Sequence, residues 1–508
     1  MTVMNIKNIL FLLFAITLST HFVGANDRVV ILHTNDTHSI IDPYFDNNLG
    51  GVARRKALID SVRNEEQNVL LVDAGDAMQG SLYFTLFEGE VEKRVMNELG
   101  YDVQIIGNHE FDNGMEKLKS YVADLNSDLI STNYDFTITD LQSYFKPYVV
   151  KTIGSRRIGF IGINIDPHGL IDSVKCIGVE YLDPFKAANS MAWYLKKIVK
   201  VDAVVAITHI GYNERDGVSD VKLAESTENI DVIIGGHSHT LINPDLKNSR
   251  QSRFKNAVGH DVLVAQTGKY GANVGEIVID FANNTINSKI HSVTSRFDDK
   301  LDEGILQVIA PYKGPVDSIC NFKVGKASGA FDRKSSLLNW MADFVLTDAK
   351  RLTDKKIDLS LVNAGGVRSS WSKGAITKGG IMQSFPFDNY EVVLEVSGAN
   401  LIATLDSIAA HGGNGVSRNV RAVINPKERR CEEVTIDGKP IDPSRTYRVA
   451  TINYLASGND HMDGLKYGVI IAKSENYLYD DMINAFESGW LRGKTQIPDD
   501  KMRMIIFD

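Results

Sequence analysis

Short runs of apolar, β-branched residues recur along the first 270 positions: "RVVIL" (28–32), "VLLV" (69–72), "VQII" (103–106), "RIGFIGI" (157–163), "AVVAIT" (203–208), "DVIIG" (231–235) and "DVLVAQ" (261–266). Amphipathic segments such as "GVARRKALIDSVRN" (51–64) lie between several of them. Near-continuous apolar strands alternating with helices predict an α/β fold, its strands covered on both faces. No repeat of solenoid length interrupts the pattern.

Near residue 298 the texture changes. "FDDKLDEGILQVIAPYKGPVDSI" (297–319) reads as a charged, amphipathic connecting helix. The remaining residues mix helices, such as "SSLLNWMADFVLTDAKRL" (335–352), with short strands and Gly-rich loops. The expected division is a first domain over 26–298, a linker helix over 299–319 and a second domain over 320–508. At the other end, Lys7 precedes "ILFLLFAITL" (9–18), followed by small residues at "VGA" (23–25). That order predicts a signal peptide over 1–25, and its apolar run is short for a membrane span. The expectation is an exported chain, periplasmic or secreted, without a stable membrane anchor. Oligomeric state is not legible.

Composition trims the options. A formal net charge of −9 argues against binding nucleic-acid polymers, whose phosphates call for a basic surface. Three cysteines (Cys176, Cys320, Cys431) make neither a disulfide framework nor a zinc knuckle. One disulfide or three buried thiols fit them equally well.

The chemistry sits where the apolar runs stop. "ILHTNDTHS" (31–39) ends in Asp36 and His38, two apart. On an extended strand such residues face the same way and would present a carboxylate and an imidazole to one point. Alone, Asp-x-His is an ordinary solvated loop. Four further runs end alike: "VLLVDAGDAMQG" delivers Asp76, "VQIIGNHEFDNG" Asn108, His109 and Asp112, "AVVAITHIGYNE" His209, and "DVIIGGHSHT" His237 and His239. Ligand sites in open α/β sheets gather outside the carboxyl ends of strands, so five such endings predict one converging site. Gly75, Gly107, Gly235 and Gly236 stand beside these residues, where a backbone turn or close approach is expected.

"HTNDTH", "DAGD", "GNHEFD", "TH" and "GGHSH" resemble, in order, the signature series of calcineurin-like metallophosphoesterases. With the second domain behind them, the chain resembles the 5′-nucleotidase family. The resemblance implies a four-layer α/β sandwich domain, a linker helix and a mixed α/β nucleotide-binding domain. It also implies two divalent metal ions, with Mn, Zn, Fe or Co suited to mixed N/O ligands. Asp36, His38 and His239 would hold one ion, Asn108, His209 and His237 the other, and Asp76 would bridge them. Other family members carry Gln or Asn where His239 stands. His109 would stabilise the transition state or protonate the leaving group, with Asp112 orienting its ring; Glu110 receives no role.

In the second domain, "NAGGVRSSW", "SFPFDNYE" and "INYLASGNDHMDG" resemble the family's substrate motifs. Read alone, Arg368 is a surface cation and Phe387 and Tyr454 are core aromatics. By resemblance, Asn363 and Arg368 would contact the phosphate or nearby polar groups, Phe387 and Tyr454 would sandwich the base, and Asp460 would bind the ribose. An additional family arginine has its nearest candidate in Arg333, at a spacing that does not match cleanly. The expected activity is a 5′-nucleotidase acting on nucleoside monophosphates for scavenging. A cyclic-nucleotide phosphodiesterase or nucleotide-sugar pyrophosphatase would use the same motifs, and a catalytically silent nucleotide binder is the non-enzymatic alternative.

Overall fold

The computed structural model describes residues 27–44, 48–214 and 217–506. The expected signal peptide lies outside them. Among the described residues, no helix is long and apolar enough to cross a membrane. Two compact units are present. The first comprises residues up to Met78, Gly89–Asp166 and Ile177–Ile309; the second comprises Gln79–Glu88, Pro167–Cys176 and Ala310–Asp508.

The first unit is built around two large sheets, with a two-stranded ribbon of Tyr134–Asp135 and Glu180–Tyr181 besides. Seven strands form one, in the spatial order Thr285–Ser292, Asn273–Asp280, Arg28–Thr34, Val69–Asp73, Val103–Gln104, Asp128–Ile130, Phe145–Lys146. Six form the other: Arg253–Lys255, Asp261–Ala265, Val232–Ile234, Ala203–His209, Arg156–Asn164, Val149–Ile153. Val29, Ile31, Val72 and Val103 of the first sheet share one buried core with Phe160, Val205, Ile207 and Val232 of the second. The alternate residues of the second sheet (Ile161, Ile163, Val204, Ala206, Ile233) pack with Ala188 and Ala192 of the helix Pro184–Tyr194 and with Leu223 of the helix Asp220–Ser226. Both faces of that sheet are therefore covered, which is why its strands read as unbroken apolar runs. Burying one such Val or Ile contributes about 1.5–3 kcal/mol, so the strand positions are firmly fixed.

The central strands run parallel. Thr34 pairs with Asp73 and Asp73 with Gln104, and in the second sheet His209 pairs with Asn164. Their carboxyl ends therefore lie side by side, and the loops that follow begin from a rigid edge.

The second unit carries a five-stranded sheet in the order Gly415–Val416, Leu359–Val362, Thr446–Ile452, Glu391–Ser397, Val469–Lys473, with a four-stranded and a three-stranded sheet beside it. Helix Ser336–Asp348 contributes Trp340, whose ring stacks with Phe344 at 5.4 Å and Phe486 at 6.1 Å between centroids. The amphipathic segment near residue 300 forms a short 3-10 turn, Ser295–Lys300, and then a helix, Glu303–Asn321, with Pro311 and Pro315 inside it. All three cysteines are free and partly buried.

Candidate metal centre

His209 closes the strand Ala203–His209, whereas Asp36 and His38 lie on a loop that does not continue its strand. The first strand ends at Thr34, and Asp36 and His38 both adopt left-handed backbone, with φ of 50° and 49°. The expected alternation along an extended strand is therefore wrong, and a turn brings the two side chains together instead. Its backbone is tied to the neighbouring loop by three hydrogen bonds. The amides of Asp36, His38 and Ser39 donate to the carbonyls of Gly75, Asp76 and Ala77 at 2.9, 3.0 and 2.8 Å. Asp76, His237 and His239 are left-handed too, with φ of 55°, 72° and 54°. Each such non-glycine residue costs roughly 1–2 kcal/mol, which persists only where surrounding contacts hold it. Gly75 meets the same demand without a side chain, at φ of 85°. Gly107 is required by space, because a Cβ there would stand 2.2 Å from Asp76 Oδ1.

The seven proposed ligands converge. His239 Nε2 lies 2.9 Å from His38 Nε2 and 3.4 Å from Asp36 Oδ1. His209 Nε2 stands 3.1 Å from Asp76 Oδ2, and His237 Nδ1 stands 2.9 Å from Asn108 Oδ1. Asp76 also lies 3.9 Å from His38 Nε2. It thus belongs both to a set with His209 and His237 and to a set with His38 and His109.

Two observations test whether divalent ions suit these donors. His38 and His239 turn their Nε2 atoms toward each other at 2.9 Å, near enough to share one proton or one ion. His209 donates from Nδ1 to the Ala74 carbonyl at 2.6 Å, which turns its buried Nε2 toward Asp76 Oδ2 at 3.1 Å, where a proton or a metal ion satisfies both. Charge points the same way. Burial alone would neutralise Asp76, yet His209, His109 and His38 hold its carboxyl well below the usual range. Burial lowers His237 to about 4, leaving a neutral imidazole. Imidazoles and carboxylates around one buried point fit borderline divalent cations.

His109 opens the 3-10 turn His109–Phe111, and its Nδ1 lies 2.8 Å from Asp112 Oδ2. The ring is thus oriented by the carboxylate three residues on, and its centroid stands 5.3 Å from that of His38.

In the second unit, Asn363 and Asp460 meet around Gly365, whose Cβ position lies 3.4 Å from Asn363 Nδ2 and 4.0 Å from Asp460 Oδ2. Asn363 is buried, and its side-chain oxygen has no hydrogen-bond partner. The Arg368 guanidinium carbon sits 5.7 Å from the Phe387 ring centroid, and its Nη2 reaches Gln79 Oε1 at 3.5 Å. Tyr454 is anchored separately, its hydroxyl donating to the Leu170 carbonyl at 3.2 Å.

Sequence profiles agree with this architecture. That of calcineurin-like phosphoesterases matches residues 29–241, and that of the 5′-nucleotidase C-terminal domain matches residues 318–467. The chain thus carries a calcineurin-like phosphoesterase domain followed by a 5′-nucleotidase C-terminal domain. Among similar proteins, the trifunctional nucleotide phosphoesterase protein YfkN of Bacillus subtilis is 27% identical over 85% of this chain, which spans 32% of that longer protein. A 5′-nucleotidase of Vibrio cholerae is 27% identical over 85% of both chains. The crystal structure of a 5′-nucleotidase precursor from Thermus thermophilus superposes with a TM-score of 0.84 at 27% identity, covering 95% of this chain and 99% of that one.

Sequence reasoning missed two residues of this chain. Glu110 is 2% exposed, and its carboxylate accepts from the amides of Ala77 at 2.8 Å and of Asp76 and Met78 at 3.1 Å, and also from that of Gly107. One side chain therefore fastens the Asp76 loop to the Asn108 loop. Its place inside "GNHEFD", between His109 and Phe111, was the available signal. Arg333, set aside for its spacing, donates to the carbonyl of Val367, the neighbour of Arg368, at 3.4 Å.

Proposed function

We propose that this protein is an exported, metal-dependent 5′-nucleotidase that releases phosphate from nucleoside monophosphates outside the cytoplasm. The observation that carries the reading is the convergence of Asp36, His38, Asp76, His209, His237 and His239 in the first unit. It is joined to a second unit that matches the 5′-nucleotidase C-terminal profile. Asp36, His38 and His239 would hold one divalent ion, Asn108, His209 and His237 another, with Asp76 between them. Bound there, the ions supply positive charge to the phosphoryl oxygens and a hydroxide at neutral pH.

The remaining steps belong to the chain's own side chains. His109, oriented by Asp112 through Nδ1, stabilises the developing charge or gives a proton from Nε2 to the departing oxygen and regains it from water. Arg368 offers a planar pair of donors suited to phosphate oxygens. Phe387 and Tyr454 stack the base, at about 1–3 kcal/mol per stacked base, and Asp460 accepts from ribose hydroxyls. Glu110 keeps the two metal loops in register. A wider activity toward cyclic nucleotides or nucleotide diphosphates is the second reading, supported by the similarity to a trifunctional nucleotide phosphoesterase.

The experiment is phosphate release from AMP, UDP-glucose and 2′,3′-cyclic AMP, with Mn²⁺ and with chelator. Metal-dependent turnover led by AMP supports the nucleotidase reading. If another substrate leads, the substrate assignment falls. No turnover of any of the three in the metal-loaded protein would sink the catalytic one.

A further inference from the structure

The second unit buries an acidic cluster that plays no part in the proposed reaction. Asp348 ends the helix Ser336–Asp348, Glu391 opens the strand Glu391–Ser397, and Asp481 lies in the helix Leu478–Glu487. They are 5%, 0% and 4% exposed. A carboxylate oxygen from each lies within 4.8 Å of the others. Two of the three are well supplied with donors. Asp348 accepts from Arg351 Nε at 2.5 Å and from Trp490 Nε1 at 2.9 Å. Asp481 accepts from Ser474 Oγ at 2.6 Å, from Asn476 Nδ2 at 2.9 Å and from Arg351 Nη2.

Glu391 is different. Both of its carboxylate oxygens are buried without a hydrogen-bond partner, and Arg351 Nη2 stands 3.9 Å away. A buried carboxylate in that state costs several kcal/mol, whether ionised or not. Without an ion, burial and the neighbouring Asp348 and Asp481 push the Glu391 carboxyl well above its ordinary range. Once all three are ionised, three carboxylates against one guanidinium leave two negative charges over, which is the charge one divalent cation cancels. The spacing agrees. Calcium–oxygen distances of about 2.3–2.6 Å let two ligand oxygens stand up to roughly 5 Å apart, so oxygens within 4.8 Å of one another are near enough to share one ion.

We propose that Asp348, Glu391 and Asp481 hold a hard, oxygen-seeking divalent cation, calcium in the first instance, at a site separate from the catalytic centre. The ion would pin the end of one helix to the start of a strand and to a second helix. The loop carrying Phe387 lies directly before that strand, and its Asn389 carbonyl accepts from the Leu478 amide at 2.7 Å. Occupancy would therefore steady the segment that presents Phe387. Carboxylates without imidazole also separate this site chemically from the histidine-rich centre of the first unit.

Trp490 supplies the test, because its indole donates directly to Asp348. The full-length protein, already loaded with Mn²⁺ in its catalytic centre, is titrated with Tb³⁺ under tryptophan excitation. Expected is sensitised emission saturating at one Tb³⁺ per chain and displaced by Ca²⁺. Glu391→Gln should weaken Tb³⁺ and Ca²⁺ binding about tenfold or more, as loss of a charged ligand does. Trp490→Phe should remove the emission while the Ca²⁺-dependent rise in melting temperature remains, which keeps the test decisive if Glu391→Gln folds poorly. The proposal is overturned if the wild type gives no Ca²⁺-competed emission, if Trp490→Phe retains it, or if a folded Glu391→Gln binds both ions as the wild type does. None of these outcomes depends on phosphate release, so the site and the proposed activity stand or fall separately.

Discussion

The two units present their candidate functional residues by opposite means. In the first, Asp36, His38, Asp76 and His209 are at most 2% exposed, and their loops are cross-tied by backbone hydrogen bonds and by the Glu110 carboxylate. In the second, Arg368, Phe387, Tyr454 and Asp460 are only partly buried, and side-chain contacts such as Arg368 on Phe387 and Tyr454 on the Leu170 carbonyl help to position them. A centre that gathers charge must be built before its ions arrive, because buried polar groups are tolerable only when their geometry is fixed. A surface that stacks a planar base has no such need, since stacking survives small displacements. The contrast predicts that errors in the first unit abolish turnover, while errors in the second shift affinity.

The largest effect tests the first half of that statement. Asp76→Asn keeps the shape of the loop but removes the charge shared by both ligand sets. Turnover of AMP should fall well beyond the roughly 10–100-fold typical of outer-shell changes around a metal. Activity within tenfold of wild type, with both ions still bound, would remove Asp76 from the bridging role.

Glu110→Gln probes the frame rather than the ligands. An amide can accept from some of the donors that the carboxylate serves, but its NH₂ opposes the rest. Metal affinity or turnover should fall about 10–100-fold while the fold persists. Calorimetric titration with Mn²⁺ beside AMP kinetics separates the two routes. An unchanged profile in both would mean that the two loops hold their register without Glu110.

Phe387→Ala and Tyr454→Ala address the other side of the comparison. Each should raise KM for AMP by roughly 5–150-fold, the equivalent of about 1–3 kcal/mol of stacking, with a smaller change in kcat. The loss should be greater for AMP than for p-nitrophenyl phosphate, which has no nucleobase. Equal losses on both esters would contradict a base-stacking role and suggest a general disturbance of the second unit.

Sequence legibility follows the same division. The apolar runs marked the strands because both faces of each sheet are covered, and Asp, His and Asn at their ends marked the converging site. What failed was the local geometry, because alternation along a strand was carried past Thr34 into a left-handed turn. Single residues do not announce positive φ when they are Asp or His rather than Gly. The segments Gln79–Glu88 and Pro167–Cys176, which pack with the second unit, were invisible for another reason. Pattern along the chain does not record which unit an excursion joins. Glu110 was hidden by its company, since an acid between two motif residues resembles a solvated one until its burial is known. The acidic cluster of the second unit was equally silent, its members lying in three separate elements.

The smallest effect concerns a histidine that the centre does not use. His33 lies on the strand leading to Asp36 and is fully buried, with both ring nitrogens unpartnered. Its ring packs so closely on Gly275 that a Cβ there would stand 2.0 Å from Nε2. Burial lowers its pKa from 6.5 to about 3. The folded chain therefore refuses a proton that the unfolded chain accepts below pH 6.5, and the stability this gives is progressively lost as pH falls from 6.5 toward 3. At pH 4.5 the loss should be about 2–3 kcal/mol, at 1.36 kcal/mol per pH unit. His33→Gln has no such proton to refuse. Its stability deficit relative to wild type, measured by urea unfolding in chelator, should therefore shrink by that amount between pH 7 and pH 4.5. Parallel pH profiles for the two proteins would show that His33 is not held neutral by packing. A shrinking deficit would show that, within one unit, burial alone keeps this imidazole uncharged, while five residues away, at His38, backbone and carboxylates arrange another to meet a cation.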